Sequence, residues 1–333
     1  MSGLVAFGIV TLWTLFLLET NDTVSWLSST PGECDSLVHI NMLGRVRITK
    51  RVLGAGAFSL VLVGNAIDRA EPFDVAVKIG MTERAGIDQD TRILSALNGT
   101  SNFPIYFGTS HVRCQKGPRI YTRPVLIMEL LGDSVDSLAQ ALEFNKTSYR
   151  VQKALEVGRG VLDGVEKLHR NLGLVMHDIY ARNIVLSRDM DQVVPKLIDF
   201  GESFGIQTHG TVDYQYLNRL YTSIREDNGD PLGPRDDLER IVYLMVYVAH
   251  GGRMPWFAED GDLVVSNKAS MPPSEVCRFL PNEIEQILVY ARSGIAVASD
   301  LPNYDHVRDL IDRALSGISG VLPDGVSNFS NVV

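Results

Sequence analysis

"HDIYARNIVL", residues 177–186, sets an acid and a carboxamide, Asp178 and Asn183, five residues apart and directly ahead of an apolar run. Sixteen residues beyond Asn183 comes "IDFG", residues 198–201, with a second acid, Asp199, and a glycine joint at Gly201. Both acids and the amide offer hard oxygen atoms. Magnesium takes a few such protein ligands and completes its shell with phosphate and water. A carboxylate left free of the metal can accept the proton of a hydroxyl. The pattern predicts a loop with Asp178 as proton acceptor, and Asn183 and Asp199 as metal ligands.

That chemistry also needs a cover over phosphates and a cation upon them. "GAGAF", residues 54–58, lies between two strand-like runs, and Gly54 and Gly56 would let backbone N–H groups approach phosphates without a Cβ in the way. Alone, it reads equally well as a hairpin turn. Lys78 ends "VAVK", residues 75–78. A lone lysine at a strand end is ordinarily a solvated edge charge. The ordered series of turn, lysine, Asp-x4-Asn and Asp-Phe-Gly makes coincidence implausible. A buried Lys78 needs an anion from the helix that follows. Glu83 is too near in sequence, and Asp90, one turn before Leu94, is the expected partner.

The rest of the chain is laid out to match. Strand-like segments come first: "RVRITKRVLGAGAFSLVLVGNAI" (45–67), "PFDVAVKI" (72–79) and "RPVLIMELLG" (123–132). A short helix over Ile87, Thr91, Leu94 and Leu97 interrupts them. Helical periods follow, in "SYRVQKALEVGRGVLDGVEKLH" (148–169), "PNEIEQILVYAR" (281–292) and "YDHVRDLIDRAL" (304–315). "DDLERIVYLMVYVAHG" (236–251) is apolar on nearly every side, as a helix through a core would be. Strands first and helices later predict an α+β fold with two segregated lobes. The expected division is a hydrophobic segment 1–20, a polar linker 21–44, a domain 45–316 made of a β-rich lobe (45–131) and a helical lobe (132–316), and a tail 317–333.

These motifs together resemble a eukaryotic protein kinase, and within that superfamily the chain is most similar to the casein kinase I group. The group-level likeness rests on "IMELLGDSVDSL" (127–138), "HGTVDYQYLN" (209–218), "GPRDDLERIVYLMVYVAHGGRMPW" (233–256) and "SDLPNYDHVRDLI" (299–311). The resemblance covers about Arg45 to Leu315. It implies ATP and Mg²⁺ (or Mn²⁺) as cofactors and a Ser or Thr hydroxyl of a protein as acceptor. It assigns Lys78 to the phosphates, with Asp90 standing where a Glu is expected. Gly54, Gly56 and Phe58 would form the phosphate cover. Glu129 and Leu131 would present backbone groups to adenine, Val61, Ala76 and Val185 would enclose the ring, and Met128 would guard the rear of its pocket. Asp237 would brace the catalytic loop, and Thr211 would contact Asp178.

Departures from the family pattern are equally legible. Met176 and His177 replace His and Arg before Asp178. Met176 can fill an apolar slot, whereas a neutral His177 serves poorly as a partner for a phosphate. Tyr180 occupies the place of a lysine. Arg182 either supplies the missing cation to the γ-phosphate or pairs with a neighbouring carboxylate. The segment from Asp199 to Thr211 is short. None of these changes removes a metal ligand, the lysine or the catalytic acid, so a working Ser/Thr kinase is expected. A pseudokinase that holds nucleotide without transfer is the alternative. A small-molecule kinase is disfavoured by the Gly-Thr-x-x-Tyr block.

Composition sets outer limits. The 333 residues carry a net charge of −9, so the overall field repels nucleic acid, and no nucleic-acid partner is expected. The three cysteines, Cys34, Cys114 and Cys277, have no metal-ligand spacing and are expected as free thiols. "GLVAFGIVTLWTLFLL" (3–18) is uncharged, which suits a signal-peptide core or a membrane-associating anchor. The expected location is therefore the secretory pathway, with the cytoplasm as alternative. Sequons at Asn21, Asn98, Asn145 and Asn328 are compatible with that route.

Overall fold

The computed structural model describes residues 34–319 except 57, 83–84, 189–193, 207–217 and 294–299. The chain divides into two compact units: Met1–Thr91 with Tyr106–Leu130, and Arg92–Ile105 with Leu131–Val333. The α+β, two-lobed plan read from the sequence holds.

The first unit is a six-stranded antiparallel sheet: β1 (Leu37–Ile40), β2 (Gly44–Ala55), β3 (Ser59–Ala66), β4 (Phe73–Gly80), β5 (Tyr106–Lys116) and β6 (Arg119–Glu129). Its spatial order is β1-β2-β3-β4-β6-β5. Val75, Val77 and Ile79 of β4 face a core shared with Val38, Ile40, Val46, Val125 and Ile127. Gly64 on β3 is required there, because a Cβ would lie 2.7 Å from Val77 and 2.9 Å from Val46. α1 (Ile87–Ala96) follows β4.

Two sequence expectations are corrected in this unit. The polar linker assigned to 21–44 contains β1, whose Val38 and Ile40 alternate with exposed Leu37 and His39 and pair with β2. Cys34 and Cys114, expected as free thiols, form a disulfide across a sequence separation of 80. The cause is topological. The chain entering β1 meets β5, where the Asp35 N–H donates to the Arg113 carbonyl at 2.8 Å. Cys277 is the free cysteine, and it is buried.

The second unit contains α2 (Val135–Ala141), α3 (Thr147–Lys167), α4 (Ile224–Asp227), α5 (Pro234–Ala249), α6 (Gly261–Ser270), α7 (Pro273–Val276), α8 (Asn282–Arg292) and α9 (Tyr304–Ser319). Residues 92–105, placed by the sequence in the β-rich lobe, join this unit. Asn102 explains why. Its carbonyl accepts from Leu197 N–H at 2.9 Å, and its side chain bonds the Gly160 carbonyl at 2.9 Å and Lys167 at 2.6 Å. The central helix is α5, buried along nearly its whole length and packed on α3 and α8, while α9 packs on α3 and α8. Two short hairpin-like ladders complete the unit: β7 (Leu174–Val175) with β10 (Phe204–Gly205), and β8 (Ile184–Leu186) with β9 (Pro195–Leu197). No helix of the described residues is long and apolar enough to cross a membrane. The hydrophobic segment 3–18 lies outside the described residues.

Candidate active site

In the second unit the loop Met176–Asn183 joins β7 to β8, and its two ends are tied together. The Asn183 amide donates to the Asp178 carboxylate at 2.8 Å and to the Asp178 carbonyl at 3.1 Å. The Asn183 carbonyl accepts from Ile198 N–H at 3.0 Å, which draws in the strand end that carries Asp199. Burial pushes the Asp178 carboxyl up to about 6, and the charge of Asp199 adds to the rise, while His177, Asn183 and Arg240 hold it back. The two acids sense each other, as two carboxylates flanking a cation site would.

Asp199 is exposed, with a left-handed φ of 60°. Such a backbone costs an L-residue of order 1 kcal/mol. Phe200 offsets the cost: it is fully buried, and its ring sits 5.9 Å from that of Phe103.

The loop is braced from α5. Asp237 accepts from Met176 N–H at 2.7 Å, His177 N–H at 3.0 Å and His169 Nε2 at 2.9 Å. Burial would raise this carboxyl, but the contacts from His169, Arg240 and Met176 outweigh it and hold it low. His177 itself has φ 70°, and its Nε2 lies 2.7 Å from Glu226, which also pairs with Arg240. Burial opposes the charge on Glu226, yet Arg240 and His177 bring its carboxyl down to about 2. Met176 is fully buried, in the apolar slot expected for it. His169, Glu226 and Arg240 were not singled out from the sequence. Their signal was an excess of charge on the core helix "DDLER", which must find partners inside.

Arg182 pairs with a carboxylate. Its Nε lies 3.2 Å from Asp136, which also accepts from the Tyr247 hydroxyl at 2.6 Å. Asp136 N–H in turn donates to the Ala181 carbonyl, so α2 and the loop are linked by main chain as well.

The first unit holds a second constellation. Lys78 Nζ lies 2.7 Å from Asp90, with the two side chains only 4% and 2% exposed. In register, Lys78 faces Val61 of β3, and Ala76 faces Met128 of β6. A Cβ at Gly54 would meet nothing, and at Gly56 only a carbonyl at 3.9 Å. Neither has a positive φ, so packing and backbone conformation leave the glycines unexplained. Phe58 is half-buried and its carbonyl accepts from Met81 N–H. Glu129 ends β6 opposite Val75. In the second unit, Leu131 is half-buried and Val185 is half-buried on β8. Thr211 lies outside the described residues.

The donor set fits a hard divalent cation. Asn183 gives its amide hydrogens to Asp178, which leaves its Oδ1 for a metal, and Asp199 supplies a carboxylate. Among the described residues no group of three or more His, Cys, Asp or Glu side chains could hold a metal ion. Two protein oxygen donors with phosphate oxygens are what magnesium at a nucleotide requires.

Residues 48–219, just over half of the chain, match the family model for protein tyrosine and serine/threonine kinases. The chain belongs to the protein kinase family. The match spans Lys78, Asp90, Asp178, Asn183 and Asp199. This kinase is 28% identical to a probable casein kinase I homolog of Encephalitozoon cuniculi, over 82% of this chain and 90% of that protein. It is 25% identical to a casein kinase 1-like protein of Oryza sativa subsp. japonica, over 81% of this chain and 40% of that longer protein. It is thus a divergent, casein kinase I-like kinase.

Proposed function

We propose that the protein transfers the γ-phosphate of ATP, with Mg²⁺ or Mn²⁺, to a Ser or Thr hydroxyl of a protein substrate. The observation that carries this is the joined pair Asp178–Asn183 beside Asp199, braced on a buried Asp237. Asp178 orients the acceptor hydroxyl and takes its proton. Asn183 and Asp199 would hold the metal, which supplies charge neutralisation on the phosphates. Lys78, paired with Asp90, would anchor phosphate oxygens, and Gly54 and Gly56 would cover them. The expected result is labelling of a generic acceptor by wild-type protein, abolished in Asp178→Asn while Mg·ATP still raises the melting temperature. Equal turnover by the two proteins overturns the proposal.

Two observations favour the reading as a nucleotide-holding scaffold: Tyr180 stands in place of a lysine, and Arg182 is turned to Asp136. Thermal stabilisation by Mg·ATP without transfer would be its signature.

We also propose that the protein resides in the secretory pathway. The Cys34–Cys114 disulfide supports an oxidising compartment, and the sequon residues Asn98 and Asn145 are exposed. A mobility shift on glycosidase digestion of the natively expressed protein tests it, and cofractionation with reduced cytosolic proteins would refute it.

A further inference from the structure

Transfer of a phosphoryl group needs donors beside the two carboxylates, because Asp178 and Asp199 both repel its oxygens. The donors within the loop are few. Arg182 is engaged by Asp136, and the Asn183 amide hydrogens go to Asp178. Tyr180 is different: no hydrogen bond among the described residues uses its hydroxyl. It stands two residues beyond Asp178 in the same loop, and the charges of Asp178 and Asp199 both act on its phenol.

The ring is held as well as placed. It tilts on Tyr221 at a centroid distance of 5.9 Å, and Tyr221 tilts on Tyr247 at 5.8 Å. The Tyr247 hydroxyl is fixed by Asp136 at 2.6 Å, so the ladder ends on the same carboxylate that holds Arg182. Burial and the two acids keep the phenol protonated, hence a donor rather than a third anion.

Resting on the kinase reading above, we propose that Tyr180 is a catalytic residue whose hydroxyl donates a hydrogen bond to the γ-phosphoryl oxygens during transfer, replacing the cation of a lysine with a neutral donor. The covalent balance is unchanged. The bond from γ-phosphorus to the β,γ-bridging oxygen breaks, and a bond to the acceptor oxygen forms. The acceptor proton passes to Asp178, ADP leaves with the electron pair, and Tyr180 keeps its proton.

The test uses the full chain in three forms: wild type, Tyr180→Phe and Tyr180→Lys. Phe keeps the stacking on Tyr221 and removes only the hydroxyl. The kcat of Y180F is expected to fall about 10- to 100-fold, in the range for loss of one preorganised donor, with KM for ATP within about twofold of wild type. Y180K, which restores a donor without the ring, should exceed Y180F in kcat by at least about tenfold. A second readout needs no turnover. By calorimetry, Y180F should bind Mg·ADP as wild type does, but bind Mg·ADP with aluminium fluoride, a mimic of the transferring group, about tenfold or more weakly. Active wild type with Y180F equal to it in kcat and in affinity for the mimic overturns this assignment and leaves the kinase reading standing. Wild type without turnover, though stabilised by Mg·ATP, overturns both.

Discussion

At the scale of single residues, the most exacting feature is the ion pair of Lys78 and Asp90. A buried ammonium is tolerated only with its counter-charge in contact, and here both groups are nearly inaccessible. Asp90→Ala removes the contacting counter-charge from a buried ammonium and is expected to cost about 3–5 kcal/mol. Denaturant titration checks this, and a loss below about 1 kcal/mol would mean that water reaches Lys78. The pair was legible beforehand because twelve residues separate a strand-end lysine from an acid on the next helix face, and strand and helix geometry fix that reach. His169, Glu226 and Arg240 were not legible. Each is a charged or polar residue with a partner at least 14 positions away, and no local period encodes such a meeting. The Arg182 choice was open for the same reason, since only the position of α2 decides that Asp136 meets it.

At the scale of elements, two devices hold the catalytic loop. One is the close approach of β9 to α3. A Cβ at Gly160 would lie 2.8 Å from Pro195 Cδ and 2.9 Å from its Cγ, and a proline ring cannot rotate aside. Gly160→Ala gains about 1 kcal/mol of helix propensity but meets an overpacking cost of about 1–3 kcal/mol. Net destabilisation is therefore expected, and a rise in melting temperature would refute it. The other device joins α4 to α5 through Glu226, Arg240 and His177. The Glu226 carboxyl titrates near 2 in the folded protein against an ordinary 4.5. A depressed folded pKa contributes stability above the unfolded value, and this is lost as pH falls from about 4.5 toward 2. The shift is worth about 3 kcal/mol. Glu226→Gln should accordingly flatten the fall in unfolding free energy across that interval, and an unchanged slope would show that other acids set it. Helix α5 was legible because apolar residues run around its whole circumference. Strand β5 was missed, since in "YFGTSHVRCQK" alternation is broken by the Gly108 irregularity.

At the scale of the whole molecule, strands preceding helices were enough to give the two-lobed plan, because each class of element must bury its apolar face against its own kind. What that order could not give was the meeting of the sheet's two sequence-distant edges, and hence the disulfide. Spacing rules for cysteines are local, whereas Cys34 and Cys114 are brought together by β1, a strand hidden in a segment that reads as polar. This crosslink makes a prediction that separates the three thiols. Cys277 is buried, and burial, with the charge of Glu285, pushes its thiol up to about 12, so at pH 8 it is both shielded and protonated. A thiol reagent should find no reactive group in the native protein. It should find one after unfolding without reductant, and three after unfolding and reduction. Three thiols on unfolding without reductant would show that the bridge is absent. Where it is present, Cys34→Ala with Cys114→Ala should lower unfolding free energy by about 2–4 kcal/mol, because the crosslink restrains a long loop in the unfolded chain. Reductant should produce the same loss in the wild type and cause no further loss in the double variant.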